Sequence, residues 1–223
     1  MAGFGEGWAM LIDPGCWLGC VDGWSGAPGQ PALFVDRDDL LVRDPGFLHR
    51  PGDVALVAGA ALLVRAANRA GWPVILVTNQ SGIARGLFGW DDFQAVNDRI
   101  ERLLSDENAY LNAMLACAWH PDGIAPLRGA HPWRKPRAGM IHAAAVRFGI
   151  ALDRSWLAGD RMTDMRAARD GGLAGGLLLR PAAAGLRSRA VARFSLVSAP
   201  SLALCTAWAQ AHLWRCARQE RAA

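Results

Sequence analysis

Asp36 and Asp38 stand two residues apart at the end of the apolar run Ala32-Leu33-Phe34-Val35, and Asp160 and Asp164 stand four apart after Leu157-Ala158-Gly159. Several carboxylates gathered at one place repel each other unless a hard cation neutralises them, and oxygen ligands suit Mg2+. Thr78, Asn79 and Lys135 could donate to an anion held by that cation. A carboxylate nucleophile, a neighbouring acid/base, a metal and a lysine together suit phosphoryl transfer through an aspartyl-phosphate. Taken singly, each acid reads as a helix cap or a solvated turn. Taken jointly, at successive strand ends, they read as a site.

The lysine adds a hint of its own. Lysines and arginines total 24, yet Lys135 is the only lysine. Lysine is a compact point charge on a thin stem and arginine a broad planar fork, so one lysine in an arginine-using chain suggests a tight anionic pocket.

The elements that must position these groups follow a rhythm. Ala32–Asp36 is a short buried strand, residues 58–70 an apolar-faced helix stopped by Gly71, and Pro73–Thr78 a second buried strand. Asp91 or Asp92 can cap a helix carrying Phe93, Val96, Ile100, Leu103 and Leu104 at helical spacing. Ala113–Trp119 is a third strand, 138–148 a helix, Ser155–Ala158 a strand, and 162–170 a helix ended by Gly171-Gly172. Leu177–Arg180 and Phe194–Val197 are further strands, followed by an amphipathic helix from about Ser201. Such alternation predicts an α/β fold, a mostly parallel sheet covered by helices on both faces. Sheets of this kind bind ligands at the carboxyl ends of their strands, where Asp36, Asp38, Thr78-Asn79-Gln80-Ser81 and Gly159-Asp160 all fall. Residues 1–30, rich in Gly, Pro and Trp and without a clear period, read as an irregular arm preceding one domain over 31–223.

Composition narrows the classes. With 223 residues, 52% hydrophobic and 20% charged, the chain suits one compact domain. No apolar run is long enough to span a bilayer, and the N-terminus lacks a secretory signal, so a cytoplasmic location and no membrane partner are expected. The net charge is +4, but the arginines are spread out rather than set in a block beside aromatics, which speaks against nucleic acid. The odd set of cysteines, Cys16, Cys20, Cys117, Cys205 and Cys216, reads as reduced thiols. Nothing in the sequence sets the oligomeric state, and a monomer is the default.

Four stretches resemble, in order, the motifs of the haloacid dehalogenase (HAD) superfamily. Phe34-Val35-Asp36-Arg37-Asp38 is similar to the first. Thr78-Asn79-Gln80-Ser81-Gly82-Ile83-Ala84-Arg85-Gly86 resembles the second motif of one subgroup, the D-glycero-D-manno-heptose 1,7-bisphosphate 7-phosphatases and related histidinol-phosphate phosphatases. Arg134-Lys135-Pro136 resembles the third, and Gly159-Asp160-Arg161-Met162-Thr163-Asp164-Met165 the fourth. The resemblance runs from about Ala32 to Arg180 and implies a Rossmann-like HAD fold without a large cap domain. It implies Asp36 as nucleophile and Asp38 as acid/base. Mg2+ would be held by Asp36, the backbone carbonyl of Asp38, and Asp160, with Asp164 supporting that shell. Thr78 and Lys135 would grip the phosphoryl oxygens, while Asn79, Gln80, Ser81, Arg134 and the Asp44–Phe47 turn would meet the rest of a sugar phosphate. The expected function is a Mg2+-dependent phosphatase of the heptose 1,7-bisphosphate type. The alternatives are a histidinol-phosphate or other small-ester phosphatase, and a weakly active or inactive phosphosugar-binding homologue.

Two departures qualify the resemblance. The first motif normally continues Gly-Thr, and here Asp39-Leu40 stands instead, which is expected to slow turnover. The subgroup's zinc loop normally carries three Cys and one His. The corresponding places here are Cys117, Trp119, His131 and Trp133, so with His120 at most three ligands are counted and zinc is not expected.

Overall fold

The computed structural model describes residues 7–21 and 23–220, with side chains as far as residue 211. In chain order the elements are β1 (Trp8–Asp13), β2 (Cys16–Cys20), β3 (Leu33–Val35), α1 (Ala60–Arg69), β4 (Val74–Asn79), α2 (Ser81–Ala84), α3 (Trp90–Asp106) and β5 (Ala113–Cys117). There follow α4 (Gly139–Phe148), β6 (Trp156–Gly159), α5 (Met162–Asp170), β7 (Gly175–Leu179), β8 (Arg187–Val191), β9 (Phe194–Ala199) and α6 (Leu202–Glu220). The nine strands form one sheet in the order β1-β2-β5-β4-β3-β6-β7-β9-β8. The central run from β5 to β9 is parallel, and the antiparallel pairs lie at the two ends.

Side-chain alternation divides the core into two layers. Leu33 and Val35 of β3, Val74 and Leu76 of β4, and Met114 and Ala116 of β5 face α1, α3 and α6. Phe34, Ile75, Val77, Leu115 and Cys117 face α4 and α5. Both faces are thus buried, which is why these strands read as unbroken apolar runs. The chain between β3 and β4 returns through α1, and that between β4 and β5 through α2 and α3, so neither connection carries a separate cap domain. No described helix is long and apolar enough to cross a membrane.

The irregular arm expected over residues 1–30 is corrected for residues 8–20. β1 and β2 form a hairpin, and β2 pairs antiparallel with β5, from Cys16↔Cys117 to Cys20↔Ala113. Every residue of β2 is buried. Trp17 enters the α3 layer, its ring edge-on to Phe93 at 5.5 Å. Gly19 lies under that same indole: a Cβ there would come within 2.3 Å of it. Cys16-Trp17-Leu18-Gly19-Cys20 carries no β-branched residue and a strand-weakening Gly19, so intrinsic propensity, with Trp17 alone in favour, gave little strand signal and pairing with β5 supplied it. β8, fully exposed and arginine-bearing, likewise exists through its pairing with β9. Residues 1–6 lie outside the described part of the chain.

Candidate active site

The site is built where β3, β4 and β6 end. The Asp36 amide donates to Ala158 O of β6 at 2.9 Å, which continues the ladder one residue beyond β3 and fixes the Asp36 side chain at the rim. Its Oδ1 lies 2.7 Å from Lys135 Nζ and accepts the Arg37 amide at 2.8 Å. Lys135 Nζ also lies 2.7 Å from Asp164 Oδ1 and donates to Val77 O at 2.9 Å, so the chain's only lysine is buried among three oxygens. Burial opposes its charge, but Asp36 and Asp164 outweigh that and hold it protonated well above the usual lysine range. Burial pushes the Asp36 carboxyl up, Lys135 pulls it back, and Asp164 and Asp38 push it up again, to about 7.

Carboxylate oxygens of Asp36, Asp160 and Asp164 lie within 4.8 Å of one another. Asp160 Oδ1 is buried without a hydrogen-bond partner. Burial and then Asp164 raise the Asp160 carboxyl above its ordinary value. An unpartnered buried carboxylate oxygen facing like charge is what a hard cation relieves, so these residues fit Mg2+. Asp164 Oδ2 accepts the Arg161 amide at 3.0 Å in the first turn of α5, while Oδ1 is ion-paired with Lys135 at 2.7 Å but, like Asp160 Oδ1, has no hydrogen-bond partner. Gly159 permits the approach, since a Cβ there would sit 2.5 Å from Asp164 Cβ.

Asp38 is held by a second network. Arg37 Nε donates to Asp38 Oδ1 at 2.8 Å, and Gln80 Nε2 donates to Asp38 Oδ2 at 3.0 Å. Gln80 Nε2 also donates to Thr78 Oγ1 at 2.8 Å, while Gln80 Oε1 accepts from Arg37 Nη2 at 3.0 Å. Arg37, 1% exposed, additionally stacks over Phe93 at 5.5 Å. Sequence reasoning assigned Arg37 no role; an arginine between two acids resembles a solvated charge, and only its burial reveals the contacts.

Of the residues expected to touch substrate, Asn79 and Gln80 are engaged internally. Asn79 clamps the Lys135 backbone from both sides, its Nδ2 donating to Lys135 O and its Oδ1 accepting from Lys135 N, each at 3.0 Å. Both still line a cleft of about 400 Å³, together with Asp36, Asp38, Ser81, Arg134 and Lys135. Thr78 is wholly buried beneath it. Asp44 shapes one wall by accepting from the Gly46 and Leu48 amides at 3.0 and 2.9 Å. On the far side are Arg134, braced by Trp119 O at 3.1 Å, and His120. His120 Nδ1 accepts the Asp122 amide at 3.0 Å, and burial, then Arg134 and Arg85, lower its pKa. His120, considered above only as a zinc ligand, thus belongs to the cleft, as do Arg161 and Thr163.

Asp39 occupies the turn that glycine would make and adopts the left-handed angle itself, at φ 59°. Its carboxylate is exposed and accepts the Asp44 amide at 3.2 Å. Leu40 is fully buried in the α3-side core.

Comparison with known proteins agrees with this geometry. A HAD-hydrolase-like family model matches residues 132–192. The D-glycero-beta-D-manno-heptose-1,7-bisphosphate 7-phosphatase of Mesorhizobium japonicum is 44% identical over 170 residues, covering 76% of this chain and 78% of that protein. A crystal structure of a HAD-like phosphatase from Mesorhizobium loti superposes with a TM-score of 0.85 at 37% identity, covering 92% of this chain and 96% of its own. That of D,D-heptose 1,7-bisphosphate phosphatase from B. bronchiseptica, complexed with magnesium and phosphate, gives 0.67 at 25% identity and covers 80% and 97%. The chain belongs to the haloacid dehalogenase superfamily of hydrolases, in the subgroup of the heptose 1,7-bisphosphate 7-phosphatases.

Proposed function

We propose that the protein is a Mg2+-dependent phosphatase that removes one phosphate from a sugar bisphosphate of the D-glycero-D-manno-heptose 1,7-bisphosphate type. The observation that carries this is the pairing of Asp36 with buried Lys135 in a cleft that Arg134 also lines, with the unpartnered Asp160 oxygen close to Asp36. Asp36 Oδ attacks phosphorus and the sugar oxygen leaves, giving an aspartyl-phosphate. Asp38 gives the leaving oxygen its proton and afterwards takes one from the water that hydrolyses the acyl phosphate. Lys135 and the Thr78 hydroxyl hold the phosphoryl oxygens. Mg2+ held by Asp36, Asp160 and the Asp38 carbonyl would neutralise the meeting of a carboxylate with a phosphate dianion. Arg134 can receive the second phosphate through two parallel hydrogen bonds. The M. japonicum and B. bronchiseptica relatives, named for heptose bisphosphate, support this choice of ester.

Phosphate release from heptose 1,7-bisphosphate, heptose monophosphates and histidinol phosphate, with and without Mg2+, tests the proposal. Turnover should require Mg2+, and kcat/KM for the bisphosphate should exceed that for monophosphates by about tenfold or more, roughly 1.4 kcal/mol. Arg134→Ala should erase that preference. Preference for histidinol phosphate would move the substrate assignment, and no Mg2+-dependent release from any ester would leave a binding protein.

A further inference from the structure

A second cluster of donor atoms lies where β2 meets β5, away from the carboxylates. Cys16 and Cys117 are direct cross-strand partners, both fully buried and both free thiols. His131, from the loop after β5, brings Nδ1 to 3.4 Å and Nε2 to 3.9 Å from Cys16 Sγ. All three residues offer a ligand atom within 4.8 Å of one another. Around a tetrahedral zinc, with Zn–S about 2.3 Å and Zn–N about 2.0 Å, such donors stand roughly 3.5–3.8 Å apart. His131 Nδ1 already stands at about that distance from Cys16 Sγ, and the Cys117 thiol lies within 4.8 Å of its partners.

His131 is oriented on every side. Its Nε2 lies 3.3 Å from Asp13 Oδ2, and Trp119 stacks on its ring at 5.5 Å and 11°. Asp13 is fixed in turn, its Oδ1 accepting from Trp119 Nε1 at 3.0 Å and the Gly15 amide at 2.7 Å. A carboxylate accepting one ring N–H while the other nitrogen faces the Cys16 thiol is the arrangement that orients a metal-bound histidine. The Trp133 amide points at the same Nδ1 from 3.1 Å and would yield it to a metal. Soft sulfur plus imidazole selects zinc over the magnesium of the carboxylate site.

We infer that Cys16, Cys117 and His131 form a zinc site, with Asp13 orienting His131 and water in the fourth position, that clasps the β1–β2 hairpin to the loop leading into Arg134-Lys135. His131 and Asp13 are partly exposed, at 21% and 31%, which leaves the water position a side open to solvent. Counting ligands along the sequence missed this set because Cys16 lies in the segment read as irregular. Folding exchanges His120, which turns to the cleft, for Cys16.

Zinc content of protein purified without chelators decides the matter, together with the spectrum after replacement by Co2+. About one zinc per chain is expected, with thiolate-to-cobalt charge-transfer bands that a carboxylate site cannot produce. Cys16→Ser should lose the zinc and Asp36→Asn should keep it. Zinc-free protein that takes up no Zn2+ or Co2+ on titration, a Cys16–Cys117 disulfide, or zinc retained by Cys16→Ser would overturn the inference. If Cys16→Ser does not fold, the wild-type metal content and cobalt spectrum stand alone as the test.

Discussion

Gln80 shows how a residue expected to touch substrate can matter more by touching the acid/base. It donates to both Asp38 and Thr78 and accepts from Arg37, so it fixes the direction in which Asp38 presents its proton. Displacement of a catalytic group by about 1 Å can cost roughly 100-fold in rate. Gln80→Leu should therefore lower kcat by about 10- to 100-fold while KM moves far less, as expected for an interaction needed in the transition state. A rise in KM with kcat unchanged would place Gln80 on the substrate instead. Asp39 poses a different question. The left-handed turn survives, so what remains of the departure from glycine is charge, and that carboxylate adds to the repulsion that raises Asp160. Asp39→Gly should raise kcat/KM on a phosphate dianion by about two- to tenfold at low ionic strength, with the gain shrinking in high salt. A gain independent of salt would point to the backbone. Leu40, buried in the core, is a packing residue whose replacement by threonine would bury a hydroxyl.

At the scale of elements, the buried parallel strands and the helices between them were legible because they must be continuous apolar runs or 3.6-residue stripes. β3 to β7, α4 and α5 fall within two residues of their expected bounds, and the four-residue α2 was not anticipated; α3 is capped by Gly89 rather than by Asp91 or Asp92, which lie in its first turn, where Asp92 Oδ2 accepts the Gly89 amide at 2.9 Å. Asp36, Asp38 and Asp160 were legible for a related reason, since polar residues directly after apolar strands have one rim to occupy, while Lys135, in the loop before α4, stood out as the only lysine. Arg37 was not, because its partners Gln80 and Leu48 are distant in sequence. The β1–β2 hairpin was not either, because it depends on β5 for its existence. Trp17→Ala measures that dependence. It removes a buried indole from the α3 layer and should cost about 3–5 kcal/mol in urea unfolding. A loss under about 1 kcal/mol would mean the hairpin unfolds apart from the domain.

For the whole molecule, the carboxylate cluster links stability to pH and metal. The Asp36 carboxyl is raised from its ordinary 3.8 to about 7 in the folded protein, by burial above all. The metal-free fold therefore binds more protons than the unfolded chain between those values. This group's contribution is fully present below about pH 4 and is lost as pH rises through 7. Mg2+ requires the ionised carboxylate, so the rise in Tm that Mg2+ produces should be larger at pH 8 than at pH 5. An equal rise at both would argue that Asp36 is not a ligand. The most direct test of the account remains the nucleophile. Phosphate release from heptose 1,7-bisphosphate in Mg2+ should be compared between the wild type and Asp36→Asn, with circular dichroism confirming that both fold. Turnover by the wild type and background release by Asp36→Asn is the expected result. An Asp36→Asn protein that keeps most of the wild-type rate would contradict it.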